Sequence, residues 1–314
     1  MPVDLSRCLV VGVSSRALFD LEEANRVFEA EGVDAYARHQ LDHVDEILQP
    51  GSGFPLIQAI LRLNQGSPER RAEVVIVSKN NPATSLRLFT AIKHHGLDIH
   101  RAILTGGAPT APYLRAFEMD LFLSASPPDV HQALSAGIAA GLIYPTPWTL
   151  ADPRDQIRIA FDGDAVLFSD ESERIFQQQG LPAFHEHEIR NAHVPLADGP
   201  FARLLRTLSL LQGDTPAEHS PIRLALVTSR GMPAHERVIR TLHAWNVRID
   251  EAFFMGGVSK TPILQTFNPH IYFEDQEAHC APACRIVPTA RVPLLGGPQA
   301  TDCPHPDPPH SSGG

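Results

Sequence analysis

Residues able to handle an anionic group cluster in the second half of the chain. Asp162-Gly163-Asp164 follows the apolar run 157–161, which places two carboxylates two residues apart at the C-terminal end of an expected parallel strand, where open α/β sheets bind ligands. Gly163 between them lets the backbone approach an anion closely. On its own the triplet also reads as a turn, since Asp and Gly favour turns. The run 224–227 ends in Thr228-Ser229-Arg230, which adds a hydroxyl, backbone N–H groups and a guanidinium at the same sheet edge, although a threonine there also suits a helix cap. Lys260 opens the helical pattern 260–267. The chain has three lysines, Lys79, Lys93 and Lys260, against 23 arginines, so a lysine at a helix N-terminus, against the macrodipole preference, needs a reason. A compact point charge for a phosphoryl oxygen supplies one. Finally, the run 271–273 ends in Glu274-Asp275, a second pair of acids at a strand end. Mg²⁺ favours sites with one or two carboxylates plus water and substrate phosphate.

These groups must be held by strands alternating with helices. Short apolar or β-branched runs at 8–13, 74–77, 102–104, 121–123, 157–161, 224–227, 252–254 and 271–273 alternate with amphipathic patterns such as 86–95 and 236–245. That alternation predicts a mainly parallel sheet with helices on both faces. Residues 77–125 can be laid on 227–275 without a gap at an offset of 150, matching Arg87 to Arg237, Gly106-Gly107 to Gly256-Gly257, Pro112 to Pro262 and Phe117 to Phe267. Upstream, with small gaps, Phe28 falls near Phe176 and Gly32 near Gly180. Two copies of one α/β unit are therefore expected, with a boundary near the prolines of 145–153. The expected divisions are 1–150 for a first copy, 151–291 for a second carrying a small helical cap insertion at 169–220, and 292–314 for a disordered tail rich in Pro, Gly, Ser and His.

Four motifs in this order, Asp-x-Asp, Thr, Lys and an acidic pair, each at a strand end, resemble those of the haloacid dehalogenase superfamily of phosphatases. The run from Ala160 through Glu171 (AFDGDAVLFSDE), the run from Val13 through Phe19 (VSSRALF), Thr105-Gly106-Gly107 and Phe184 with His185 to Glu188 narrow the resemblance to the type I cytosolic 5'-nucleotidases. Glu274 stands where that family usually has Asp. The resemblance implies a haloacid dehalogenase-like Rossmannoid fold and a Mg²⁺-dependent hydrolysis of nucleoside 5'-monophosphates. It implies Asp162 as nucleophile, forming an aspartyl-phosphate, and Asp164 as general acid and base. Mg²⁺ is expected on Asp162, the Asp164 backbone carbonyl and Asp275. The resemblance also implies that Thr228 and Lys260 bind phosphoryl oxygens, with Glu274 orienting Lys260 or a metal-bound water. On the same resemblance Gly163, Ser229 and Arg230 are expected to line the substrate site, and Phe184, His185 and His187 are candidates for base or ribose contacts. The bland alternative for these last three is a helix-packing ring and solvated imidazoles.

Read back into the first copy, the alignment puts Ser78 under Thr228, Thr110 under Lys260, Ser124 under Glu274 and Ala125 under Asp275, with Val13 and Ser15 beside Asp162 and Asp164. The first copy is thus expected to do no chemistry. It is either a scaffold or subunit interface or, through Gly106, Gly107 and Ser78, a seat for an anion such as a regulatory nucleotide. Competing readings of the whole chain are a phosphatase of the same superfamily acting on another small phosphomonoester, and a nucleotide-binding regulator without turnover.

The remaining composition bounds the function. A net charge of -10 offers no basic field to nucleic acid or an anionic membrane. No apolar stretch approaches a membrane span, the best, 133–144, being broken by Ser135, Gly137 and Gly141, and the run 8–13 is too short for a signal peptide. A cytoplasmic protein is expected, and a homo-oligomer is compatible with this reading. Cys8, Cys280, Cys284 and Cys303 are too scattered for a disulfide framework, and Cys280 and Cys284 beside His279 lack the second pair that a zinc site needs.

Overall fold

Short runs rich in Val, Ile, Leu and Phe form most strands of one ten-stranded sheet in the computed structural model, which describes residues 5, 8–145, 156–213 and 215–295. The strands are β1 Leu9–Val13, β2 Ala72–Ser78, β3 Arg101–Leu104, β4 Leu121–Ser124, β5 Ala139–Ile143, β6 Ile157–Phe161, β7 Ile222–Thr228, β8 Glu251–Phe254, β9 Ile271–Glu274 and β10 Thr289–Arg291. β1, β2 and β5 are buried along their whole length, as parallel strands covered on both faces must be. The eight expected strand runs are all strands. β5 and β10 are additional.

The sheet runs β3-β2-β1-β4-β5-β10-β9-β6-β7-β8. Read outward from β1 and from β6, the two halves carry the same order, β3-β2-β1-β4-β5 and β8-β7-β6-β9-β10. Registers agree as well: Leu9 pairs with Ala72 as Ile157 does with Ile222, and Val11 with Leu121 as Ile159 does with Ile271. All these pairings are parallel. The halves join by the antiparallel pair β5 and β10, with Ala290 opposite Ile143 and Arg291 opposite Leu142. One apolar core cluster includes buried residues from both halves, so the expected boundary near 145–153 is a crossing of the chain and not a break in the core. Residues 146–155 lie outside the described residues, as does the expected tail from 296 onward.

Gly141 sits at this seam. A Cβ there would lie 2.9 Å from the Ala290 Cβ and 3.1 Å from the Phe273 ring, closer than packed carbons tolerate. Gly141→Ala is expected to lower stability by about 1–3 kcal/mol through overpacking, read as a lower urea midpoint at unchanged slope. An unchanged midpoint would mean that the seam relaxes freely.

The segment expected as a cap, 169–220, divides in the structure. Glu171–Arg190 is a helix broken at Gly180, whose φ of 80° only glycine adopts without strain. Ala202–Gln212 instead buries Leu204, Leu205 and Leu208 in the core and packs against β7. The cap expectation was therefore too long: periodic apolar burial assigns the second helix to the sheet layer. Among the described residues no helix is long and apolar enough to cross a membrane.

Candidate active site

The second-half crevice is assembled from the ends of β6, β7 and β9 and the start of the helix Thr261–Phe267. Asp162 directly follows β6, and its backbone N–H donates to the Phe273 carbonyl on β9 at 2.8 Å, which fixes where the carboxylate begins. The chain then turns tightly through Gly163–Leu167, with Ala165 in the left-handed region at φ 59°. A Cβ on Gly163 would stand 3.2 Å from Thr228 Oγ1, so glycine lets the β6 turn close against the end of β7. Thr228 Oγ1 accepts from the Arg230 N–H at 3.2 Å. Lys260, just ahead of the helix Thr261–Phe267, places Nζ 2.8 Å from both Asp162 Oδ1 and Glu274 Oε2. Glu274 also accepts from the Tyr272 hydroxyl at 2.5 Å and the Gln276 N–H at 3.2 Å, with His279 Nδ1 3.3 Å away.

Carboxylate oxygens of Asp162, Glu274 and Asp275, all buried, lie within 4.8 Å of one another. Three carboxyl groups share one ammonium in a buried site. Burial, then the charge of Glu274, push the Asp162 carboxyl up to about 7, Lys260 pulling the other way. Burial, then Asp162 and Glu274, push Asp275 up to about 10. Burial also raises Glu274, but the bond with His279 and the charge of Lys260 outweigh it and hold that carboxyl well below its usual range. Asp275 Oδ1 is buried with no hydrogen-bond partner of normal geometry among the described residues. Buried like charges and an orphaned carboxylate oxygen are what a hard divalent cation relieves, so the residues present fit one. No cysteine belongs to a metal-ligand cluster among the described residues; Cys280 is buried in the helix Glu277–Ala283, and Cys303 lies outside the described residues.

A second cluster ties the crevice to the broken helix. Glu188, fully buried, accepts from Ser172 Oγ at 2.8 Å, from Arg237 Nη1 at 3.0 Å and from Arg230 Nη1. Arg230 also donates Nε and Nη2 to the two Asp164 oxygens at 2.8 and 2.6 Å, and its guanidinium lies 5.4 Å from the centre of the Phe184 ring. Asp164 is thus not among the three converging carboxylates. Phe184 packs edge-on against Phe176 at 6.3 Å. His185 is half-buried beside Phe184, and His187 Nδ1 lies 3.2 Å from Glu188. Ser229 is exposed at the rim.

The structure therefore brings together Asp162, Gly163, Thr228, Lys260, Glu274 and Asp275, and separately Asp164, Arg230 and Phe184. Glu274 stands with Asp162 and Asp275 as a third convergent carboxylate. Arg237 and Tyr272 were not expected, and Glu188 only as part of a resembling run. The match of Arg87 to Arg237 in the repeat was the one available hint for Arg237. In the first half, the register shared with β4 and β9 puts Ser14, not Val13, at the Asp162 position: the Ser14 N–H donates to Leu123 O at 2.8 Å as Asp162 does to Phe273. The second-half turn is one residue longer, which moves the alignment between Ser14 and Phe19.

A family model described as 5'-nucleotidase matches residues 1–297. Human cytosolic 5'-nucleotidase 1B is 35% identical over 296 residues, covering 91% of this chain and 48% of that protein. The chain thus spans about half the length of this relative. A histidinol dehydrogenase structure from Elizabethkingia anophelis superposes over 76% of this chain and 48% of its own at 9% identity, but its TM-score of 0.23 carries no argument about the fold.

Proposed function

The chain belongs to the 5'-nucleotidase family, and on that premise we propose that its second-half crevice hydrolyses nucleoside 5'-monophosphates to nucleoside and phosphate. The observation that carries this reading is the buried Asp162 carboxylate held 2.8 Å from Lys260 where β6, β7 and β9 end. Asp162 attacks phosphorus and the bond to the ribose 5'-oxygen breaks, giving an aspartyl-phosphate. Water then attacks phosphorus and frees phosphate and Asp162. Asp164 protonates the departing 5'-oxygen and later takes the proton of the water. Since both Asp164 oxygens accept from Arg230, one of those bonds must open for each transfer. Thr228 and Lys260 hold phosphoryl oxygens, and Glu274 and Tyr272 keep Lys260 in place. Mg²⁺, held by Asp162, Asp275 and the Asp164 backbone carbonyl, would supply positive charge against the repulsion between carboxylate and phosphate. Phe184, whose ring lies by Arg230, and His185 next to it would face the base and ribose.

The two halves are, in this reading, copies of one haloacid dehalogenase-like unit of which only the second does chemistry. The common strand order and registers support it. Phosphate release from AMP, IMP, dGMP, dCMP and sugar phosphates tests the substrate class; release from sugar phosphates alone would overturn it.

All ligands in the cluster are hard oxygens, suited to a small octahedral ion and not to zinc. EDTA is expected to lower phosphate release by about 100-fold or more, with Mg²⁺ restoring it and Zn²⁺ not. Full activity in EDTA, or rescue by Zn²⁺ alone, would refute this assignment.

A further inference from the structure

The first half holds a cavity of about 470 Å³ at the ends of β1, β2 and β4, with Ser14, Ser15, Phe28, Tyr36, Ser78 and Lys79 among its walls. We propose that this cavity is a second nucleotide site, which takes a nucleoside 5'-monophosphate without a metal and does not hydrolyse it. The ligand class rests on the reading of the second-half crevice given above.

Three observations converge. First, the aromatic platform is duplicated. Phe28 and Tyr36 meet edge-on at 6.1 Å and 81°, as Phe176 and Phe184 do at 6.3 Å and 79°. Each pair straddles a glycine with positive φ, 83° at Gly32 and 80° at Gly180, so the same broken helix presents the same rings. Phe28 is 46% exposed and Phe176 44%, leaving ring surface on which a base can stack.

Second, the strand-end loops are pinned alike while their charges are removed. Gly106 N–H donates to Asn80 O and Gly256 N–H to Arg230 O, both at 3.2 Å, and the Asn80 and Arg230 N–H groups donate to Ser78 Oγ and Thr228 Oγ1, again both at 3.2 Å. Ser14, Ser124 and Ala125 replace the three convergent carboxylates, so the cation cluster and the carboxylate nucleophile of the second half have no counterpart; Asp129 is the one carboxylate in the cavity wall, and Lys79 holds it. Hydroxyls remain: Ser15 Oγ lies 3.4 Å from Ser78 Oγ. Lys79 and Arg16 supply positive charge, each now on a carboxylate, Asp129 at 2.5 Å and Glu22 at 3.0 Å. Both cations are about one-third exposed, free enough to turn toward a phosphate.

Third, the cavity is open for a reason visible in one substitution. Arg230 closes the second half by binding Asp164 and Glu188 together. Asn80 occupies the matching place in the first half, and its side-chain contact is with the Tyr36 hydroxyl at 3.0 Å, which leaves the space beneath unfilled. Its volume falls in the range of small-ligand sites, about 300–1,000 Å³.

The test is equilibrium dialysis of AMP, IMP, dGMP and dCMP, with adenosine and inorganic phosphate as controls, against the full chain in EDTA. One nucleotide per chain is expected. Tyr36→Ala should raise its Kd about tenfold or more by removing a stacking ring. Tyr36→Phe and Phe184→Ala should leave it within about twofold, since neither removes the first-half ring. Lys79→Ala, which unpairs the buried Asp129 and is therefore compared with the parent at matched folded fraction by circular dichroism, should weaken the nucleotide and not adenosine. Absence of saturable binding by any nucleotide, binding equally strong for phosphate alone, or loss with Phe184→Ala instead of Tyr36→Ala would each overturn the proposal. Tyr36-dependent binding without phosphate release in Mg²⁺ would refute the hydrolytic reading and leave this site standing. Release without Tyr36-dependent binding would do the reverse.

Discussion

Asp162→Asn is expected to lower phosphate release by about 1,000-fold or more, roughly 4 kcal/mol of barrier at about 1.4 kcal/mol per tenfold, while the protein stays folded. The amide keeps the shape of the carboxylate but is a poor nucleophile. It also removes a buried carboxyl group that crowds Glu274 and Asp275, leaving Lys260 on Glu274 at 2.8 Å. In EDTA the variant should therefore melt at or above the parent's temperature, which separates lost chemistry from lost fold. Turnover within about tenfold of the parent would exclude Asp162 as nucleophile, because so small a loss, about 1.4 kcal/mol, is less than a missing covalent step costs.

Glu188→Ala is expected to be the most destabilising single change at the crevice, by about 3–5 kcal/mol in urea unfolding, because it leaves two buried guanidinium groups, Arg230 and Arg237, without their common carboxylate. Glu188→Met should cost less if Arg230 can rely on Asp164 alone. Burial pushes the Glu188 carboxyl up, but Arg230, the Ser172 hydroxyl and Arg237 outweigh it and hold it below its ordinary value of 4.5. For an acid so lowered, the stabilisation is present above the ordinary value and is lost as pH falls through the lowered one. The gap between parent and Glu188→Ala should therefore be full at neutral pH and shrink in acid. A gap under about 1 kcal/mol at neutral pH would mean that water reaches the cluster and screens it.

What the sequence could disclose was whatever is written in neighbouring residues. Strands buried on both faces need apolar runs, so β1, β2, β4, β6, β7 and β9 were readable, and the chemistry of Asp162, Thr228, Glu274 and Asp275 followed because each sits at or beside the end of such a strand, that of Lys260 because it stands at the start of a helical pattern. The repeat was legible for the same reason, being a constant offset. β5 and β10 were not: Ala139–Ile143 is rich in Ala and Gly, Thr289–Arg291 has three residues, and each is held as a strand by β4 or β9 on one side and by the other half at the seam. Only the tertiary structure chose the partners of Glu188, since Arg230 and Arg237 lie 42 and 49 residues away and nothing local marks a carboxylate on a helix as one that will be buried. It also set the one-residue difference between the turns after Ser14 and Asp162. The same holds for the contrast between the crevices: whether a strand-end pocket stands open or is bridged depends on how far the side chain at position 80 or 230 reaches, and reach has meaning only once the opposite wall is in place.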